Sequence, residues 1–286
     1  HNLLATLNRR PEFYHQAIVE LAAKEPDEIV GAHGDAAGAR SIHHQATCKQ
    51  PDLHRRLVYD RWPRKGSVDH FLQPGLTLDR FRQGEGSIGD FNLGAYAATI
   101  RQQTDRCEVR MQRQGRVGPY TCTVTKSVCL KAGASRLEFD YWLDELPRGV
   151  PLHFGVEFNI AGLAAGASDR YFYDARGATR GSLDTPLDLQ SLQRVGVVDE
   201  WLGLDVALEF SQPAAVWALP IETISQSEGG YEAVFQSTAL MPHWEFEAPE
   251  TGSVHFRVSL VVDTSAAQAR KLLEIPAPSM VVTSHG

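Results

Sequence analysis

Leu137-Glu138-Phe139-Asp140-Tyr141-Trp142-Leu143-Asp144 sets four apolar side chains at alternate positions, with three carboxylates and an indole between them. A strand turns successive side chains to opposite faces, so this octet makes a ribbon with one face suited to a core. The same period of two recurs upstream, where Tyr120, Cys122 and Val124 alternate with Thr121, Thr123 and Thr125. It recurs downstream, where Val254, Phe256, Val258 and Leu260 alternate with His255, Arg257 and Ser259. Further runs near 94–102, 106–113, 152–160, 203–210, 214–220, 231–238 and 243–248 read as strands, most of them separated by clusters of Gly, Pro or Asp. Strands in this number, with no long helix between them, predict an all-β fold: a large antiparallel β-sandwich of stacked sheets.

Only the first quarter departs from this pattern. Pro11 can open a helix that carries Phe13, Ala17, Ile18, Leu21 and Ala22 on one face, and Pro26 ends it by excluding the helical conformation from the residue before it. A Gly- and Ala-rich loop follows at 31–38, and Pro51 and Asp52 start a second short helix bearing Leu53 and Leu57. Two such short helices cannot build a core alone. Residues 1–58 are therefore expected to pack on the sandwich, 59–264 to form it, and 265–286 to be a tail in which 265–273 can coil into a terminal helix. The polar, Gly-rich stretch 164–192 is expected to be a long loop.

At 286 residues, 43% hydrophobic and 22% charged, the chain can bury a sizeable core. A net charge of −7 argues against a nucleic-acid binder, which needs a basic stripe to displace counterions. No apolar run approaches the roughly 20 residues that span a bilayer, so no membrane partner is expected. The chain begins at His1 without a basic-then-apolar leader. Its four cysteines, Cys48, Cys107, Cys122 and Cys129, have no Cys-x-x-Cys spacing, and Cys122 and Cys129 fall on opposite faces of one strand. Reduced thiols in a cytoplasmic protein fit this better than a zinc site or a disulfide framework. His43 and His44 are adjacent and point apart, a poor start for a metal site. With no nucleophile elbow, zinc-helix motif or phosphate loop, neither a metal nor a cofactor is expected.

Several polar residues interrupt the strands. In Phe154-Gly155-Val156-Glu157-Phe158-Asn159, Glu157 and Asn159 project in parallel, a carboxylate and an amide placed to grip neighbouring sugar hydroxyls, unless that face is simply solvated. Asp69-His70-Phe71 and Gly89-Asp90-Phe91 set an ionisable group beside an apolar anchor, which also suits a turn with a buried ring. The stretch from Trp217 to Gly230 offers a ring for stacking on a sugar, and Gln226 and Glu228 beside a Gly-Gly turn; its plain reading is a strand–turn–strand with Trp217 in the core.

The order of the blocks carries more than any one of them. Asn8-Arg9-Arg10-Pro11-Glu12-Phe13-Tyr14-His15, Tyr59-Asp60-Arg61, Asp69-His70-Phe71-Leu72, Gly89-Asp90-Phe91, the stretch from Phe154 to Asn159 and that from Trp217 to Glu228 follow one another as they do in the C-terminal region of glycoside hydrolase family 57. The chain resembles in particular its α-amylase and 4-α-glucanotransferase branch, from about Asn2 to Thr264. The resemblance implies a galactose-mutarotase-like supersandwich that packs on a catalytic (β/α)-barrel and helps to wall its substrate cleft. In that family the barrel supplies a glutamate nucleophile and an aspartate acid/base. No run of alternating strands and helices is present here to hold a barrel, so neither catalytic residue is carried over. His70, Asp90, Glu157, Asn159, Gln226 and Glu228 match the domain's recurrent polar positions. With Trp217 they are expected to line a concave face that meets an α-glucan or oligosaccharide, or the interface with the barrel. Two other readings stand beside this one. One is a structural interface module without sugar affinity. The other is a self-sufficient mutarotase in which His70 or His153 works with Glu157 or Glu228 across a sugar ring.

Overall fold

The computed structural model describes residues 8–23 and 48–274, and within them a twelve-stranded sheet system whose strands all pair antiparallel, apart from one isolated parallel bridge between Cys48 and Tyr231. The strands are β1 (Val68–Leu72), β2 (Ala97–Gln102), β3 (Arg106–Val117), β4 (Tyr120–Lys131), β5 (Arg136–Asp144), β6 (Pro151–Ala161), β7 (Arg170–Asp174), β8 (Thr179–Ser182), β9 (Leu187–Asp199), β10 (Leu204–Ser227), β11 (Gly230–Glu247) and β12 (Val254–Asp263). Helices are few and short: α1 (His15–Ala23), a 3-10 turn (Leu53–Arg56), α2 (Leu78–Arg82) and α3 (Ser265–Glu274).

One strand makes the sandwich. The first half of β10 pairs with β12 (Phe210 opposite Val258), and its second half pairs with β11 (Ala215 opposite His243). Between them, at 211–214, the ladder to β9 is also interrupted. The chain therefore passes from one layer, β10-β12-β5-β4-β3-β2, to the other, β10-β11-β6-β1. The alternation read from residues 137–144 points Phe139, Tyr141 and Leu143 at Phe154, Val156 and Phe158 of β6. Phe139 meets Phe158 at 5.2 Å between ring centroids, and Trp244 stacks on Phe256 at 4.5 Å, so rings from both layers interlock. Such pairs contribute about 0.5–1.5 kcal/mol each beyond the area they bury. One charged pair lies inside this interior: Lys126 Nζ, 2.8 Å from Asp69 Oδ2, which also accepts a bond from Tyr96 Oη at 2.5 Å.

The two runs read at 203–210 and 214–220 are one strand, β10, and those at 231–238 and 243–248 are one strand, β11. Pro213 and Pro242 are strand-breaking signals in sequence, but Pro213 falls where the β9 ladder is already interrupted, so its missing N–H costs little. The expected loop at 164–192 instead contains β7, β8 and the start of β9. Phe172 and Leu183, fully buried in the core, anchor it. Those short edge strands carry so many polar groups because only every second residue meets the core. Phe13, expected on the helical face, is exposed; α1 starts two residues later and buries Ile18 against Leu53, Ile224 and Tyr231. The predicted second helix is a single 3-10 turn with Leu53 buried. The loop at 31–38, Pro26, His43, His44 and the tail after Pro276 lie outside the described residues. No helix among the described residues is long and apolar enough to cross a membrane.

Gly196 in β9 lies opposite Tyr173 in β7, whose ring covers the glycine's backbone while its hydroxyl donates to Asp205 at 2.7 Å and accepts from Arg194 at 2.8 Å. A methyl group at 196 would fall well inside contact distance of that ring. Gly196→Ala is expected to lower stability by about 1–3 kcal/mol through this overpacking, read as a lower urea midpoint with an unchanged slope.

Candidate functional site

On β6, Phe154, Val156, Phe158 and Ile160 enter the core, so His153, Gly155, Glu157 and Asn159 must project from the other face of the same layer. Val68, His70 and Leu72 of β1, Trp217, Leu219 and Ile221 of β10, and Met241 and His243 of β11 share that face. It is not wet. The segment between the 3-10 turn and β2 folds across it and lays Trp62, Leu76 and Phe81 on Trp217, Leu219 and Met241 as a second hydrophobic cluster. Glu157, Asn159 and His70 are no more than 1% exposed and Trp217 only 2%, so none of them meets solvent as a sugar-gripping surface would.

Glu157 is instead one end of a buried chain of charges. Its Oε1 accepts from Arg64 Nη1 at 2.9 Å and from Asn159 Nδ2 at 2.7 Å, and its Oε2 from Trp62 Nε1 at 3.0 Å. His70 Nε2 stands 3.2 Å from Oε2 without the alignment of a hydrogen bond. Arg64 reaches back through Nε to Asp60 Oδ1 at 2.8 Å, and Arg9 grips the same carboxylate through Nε, Nη2 and its backbone N–H. Asn159 also donates to the Lys65 carbonyl, and Asn8 accepts from the Arg64 backbone. Burial alone would raise the Glu157 carboxyl; the Arg64 guanidinium, then His70 and the Asn159 amide, more than reverse this and hold it at about 2. The same two carboxylates raise Arg64 despite its burial. Glu157 and Arg64 therefore stay ionised, and the relay fastens residues 60–65 to the sheet.

The relay gathers three of the expected residues, His70, Glu157 and Asn159, and Trp217 joins them through a row of rings. Trp62 meets His70 at 4.8 Å, Phe81 meets Trp217 at 5.2 Å, and Trp217 meets His243 at 4.3 Å. The other three stand elsewhere. Asp90 is half-buried in the connection before β2, where it accepts from the Arg116 backbone and pairs with Arg113 at 3.2 Å. Gln226 and Glu228 are exposed at the β10–β11 hairpin. Arg9, Trp62, Arg64 and Phe81 were not among the expected residues, because their partners are distant in sequence: Arg64, for one, meets a carboxylate 93 residues away. His153 and His243 meet at 2.8 Å between Nε2 and Nδ1.

Beside the clamped segment opens a cleft of about 320 Å³ lined by Arg55, Arg56, Tyr59, Arg61 and Arg82 with Asp184 and Glu222. Its arginines are largely paired: Arg55 with Asp52, Arg56 with Glu222 and Arg82 with Asp79, while Arg61 donates to the Gly84 carbonyl. Among the described residues no cluster of three or more His, Cys, Asp or Glu could hold a metal ion.

Comparison with known proteins agrees with this architecture. A 4-α-glucanotransferase of Thermococcus kodakarensis is 28% identical over 253 residues, covering 88% of this chain and 33% of the relative. An α-amylase of Pyrococcus horikoshii is 28% identical over 228 residues, covering 79% of this chain and 31% of the relative. The crystal structure of the 4-α-glucanotransferase from Thermococcus litoralis superposes with a TM-score of 0.57 at 23% identity, covering 77% of this chain and 30% of that one. The chain thus spans about a third of the length of the relatives it matches. The family model described as "Alpha-amylase/4-alpha-glucanotransferase, C-terminal" matches residues 1–258, and the chain belongs to that family.

Proposed function

We propose that this chain is the accessory, non-catalytic β-sandwich of an α-glucan-active enzyme of the glycoside hydrolase family 57 type, supporting a catalytic barrel and contributing to carbohydrate binding. The observation that carries this reading is the family match over nearly the whole chain, together with relatives named as glucanotransferase and amylase that are three times as long. The geometry supplies a rationale. The relay fastens residues 60–65 to the sheet, and the cleft of paired charges beside them offers polar groups to a neighbouring domain. Four unpaired cysteines favour a reducing, cytoplasmic setting.

Mutarotase chemistry needs an acid and a base on opposite sides of a sugar ring. His70 and Glu157 touch at 3.2 Å under a hydrophobic cover, which leaves no room for a ring between them. The test pairs calorimetric titration with maltooligosaccharides and polarimetry of glucose and galactose mutarotation. Heat of binding with uncatalysed mutarotation is expected. Accelerated mutarotation would replace this reading with an enzymatic one, and absence of both would leave a scaffold without sugar affinity.

A further inference from the structure

Beyond Trp217 the covered face of the sheet opens into a pocket of about 340 Å³, at the low end of the roughly 300–1,000 Å³ common for small-molecule sites. Trp217, His243 and Trp244 line it; Asp188, Gln190 and Glu245 stand at its rim, where Asp188 and Gln190 are exposed and Glu245 is about half exposed. It lies where β10 leaves one layer for the other, so Pro213, Ala214 and Ala215 leave open space that a regular ladder would fill.

One buried ring nitrogen in its lining has no partner: Nε2 of His243, a residue 5% exposed. The proton positions give it a definite character. The Gln73 carbonyl, 3.3 Å from His153 Nδ1, can only accept, so His153 carries its proton there. His153 Nε2 is then an acceptor, and His243 must donate to it from Nδ1 at 2.8 Å. His243 Nε2 is left as a bare lone pair. Burial and the neighbouring His153 push the His243 imidazole down to about 3, and burial lowers His153 too, so both stay neutral near pH 7. The Trp217 ring, 4.3 Å away, fixes the orientation.

A hydroxyl can donate to that nitrogen. The acidic rim, Asp188 and Glu245, repels phosphate or carboxylate ligands and accepts further hydroxyl protons, and the Trp217 indole offers apolar contact for C–H faces. We propose that this pocket is a subsite for one glucosyl unit of an α-glucan, with His243 Nε2 as the acceptor that recognises a sugar hydroxyl and Asp188 and Glu245 as the rim. It rests on the reading of the chain as carbohydrate-associated and names where the sugar is held.

The test is calorimetric titration of the 286-residue chain and its variants with maltotriose, with near-ultraviolet circular dichroism as a check on folding. His243→Phe keeps a ring and loses the acceptor. Because that position is buried, Asp188→Ala and Glu245→Ala at the rim form an independent arm. Each variant is expected to weaken maltotriose binding about five- to tenfold, the scale of one lost hydrogen bond. Binding by the wild type that both rim variants retain in full would place the sugar elsewhere, overturning the subsite and leaving the accessory reading intact. No heat from the wild type at millimolar maltotriose would overturn the subsite and remove carbohydrate binding from the accessory reading as well.

Discussion

Glu157→Ala is expected to destabilise the chain by about 3–5 kcal/mol, because it leaves the buried donors Arg64 Nη1, Trp62 Nε1 and Asn159 Nδ2 without their shared acceptor and half-breaks the pairing of the Arg64 guanidinium, which keeps only Asp60. At roughly 2–4 °C per kcal/mol for a chain near this size, the melting midpoint falls by about 6–20 °C. Arg64→Met is expected to cost a similar amount from the other side. The double variant Arg64→Met with Glu157→Leu is expected to lose less than either single one, since it removes the desolvation penalty together with the attraction. Acid titration reads the same pair. The folded carboxyl titrates at about 2 against 4.5 for an ordinary glutamate, so the unfolded chain takes up the proton first as the pH falls. The contribution of Glu157, on the order of 3 kcal/mol, is therefore complete above about pH 5 and drains away between there and pH 2. Glu157→Gln is expected to flatten that part of the stability profile, which urea midpoints at pH 3 and pH 6 would measure. A profile as steep in Glu157→Gln as in the wild type would mean that the carboxylate is not the buried anion described.

Trp217→Ala is the second large effect. The indole is 2% exposed and packed between Phe81 and His243, so its removal opens a cavity that surrounding β-ladders cannot close. A loss of about 3–5 kcal/mol is expected, read as a lower urea midpoint. A side chain presented to solvent for stacking on sugars would behave differently: affinity would fall and stability would barely change. The two roles are thus separated by one unfolding curve.

Much of the fold is legible because the strands obey a simple rule. Residues 137–144 alternate but for Trp142, and β5 turns Phe139, Tyr141 and Leu143 inward to face β6. Legibility fails where one strand serves two layers. The β10 chain passes through Pro213, and a reader of local sequence breaks it there although the backbone continues into β11's partner. The site is legible only in part. His70, Glu157 and Asn159 announce themselves as polar residues inside strands, and they do converge. Their use does not follow from that pattern. A polar residue on an alternating strand faces either water or a covering segment, and the cover here is Trp62, Arg64 and Phe81, residues of an irregular connection with no periodicity of their own. His243 left one trace: a lone imidazole in the apolar run from Ala239 to Trp244.

The most direct measurement is the set of five indole N–H resonances, one for each tryptophan, recorded while maltotriose is added to the chain. Trp62 donates to Glu157 inside the closed relay, and the Trp217 ring lines the pocket 4.3 Å from His243. The Trp217 resonance is expected to move with sugar concentration while that of Trp62 stays fixed. A Trp62 resonance that moves while Trp217 remains still would contradict both assignments, placing the sugar on the relay and leaving the pocket empty.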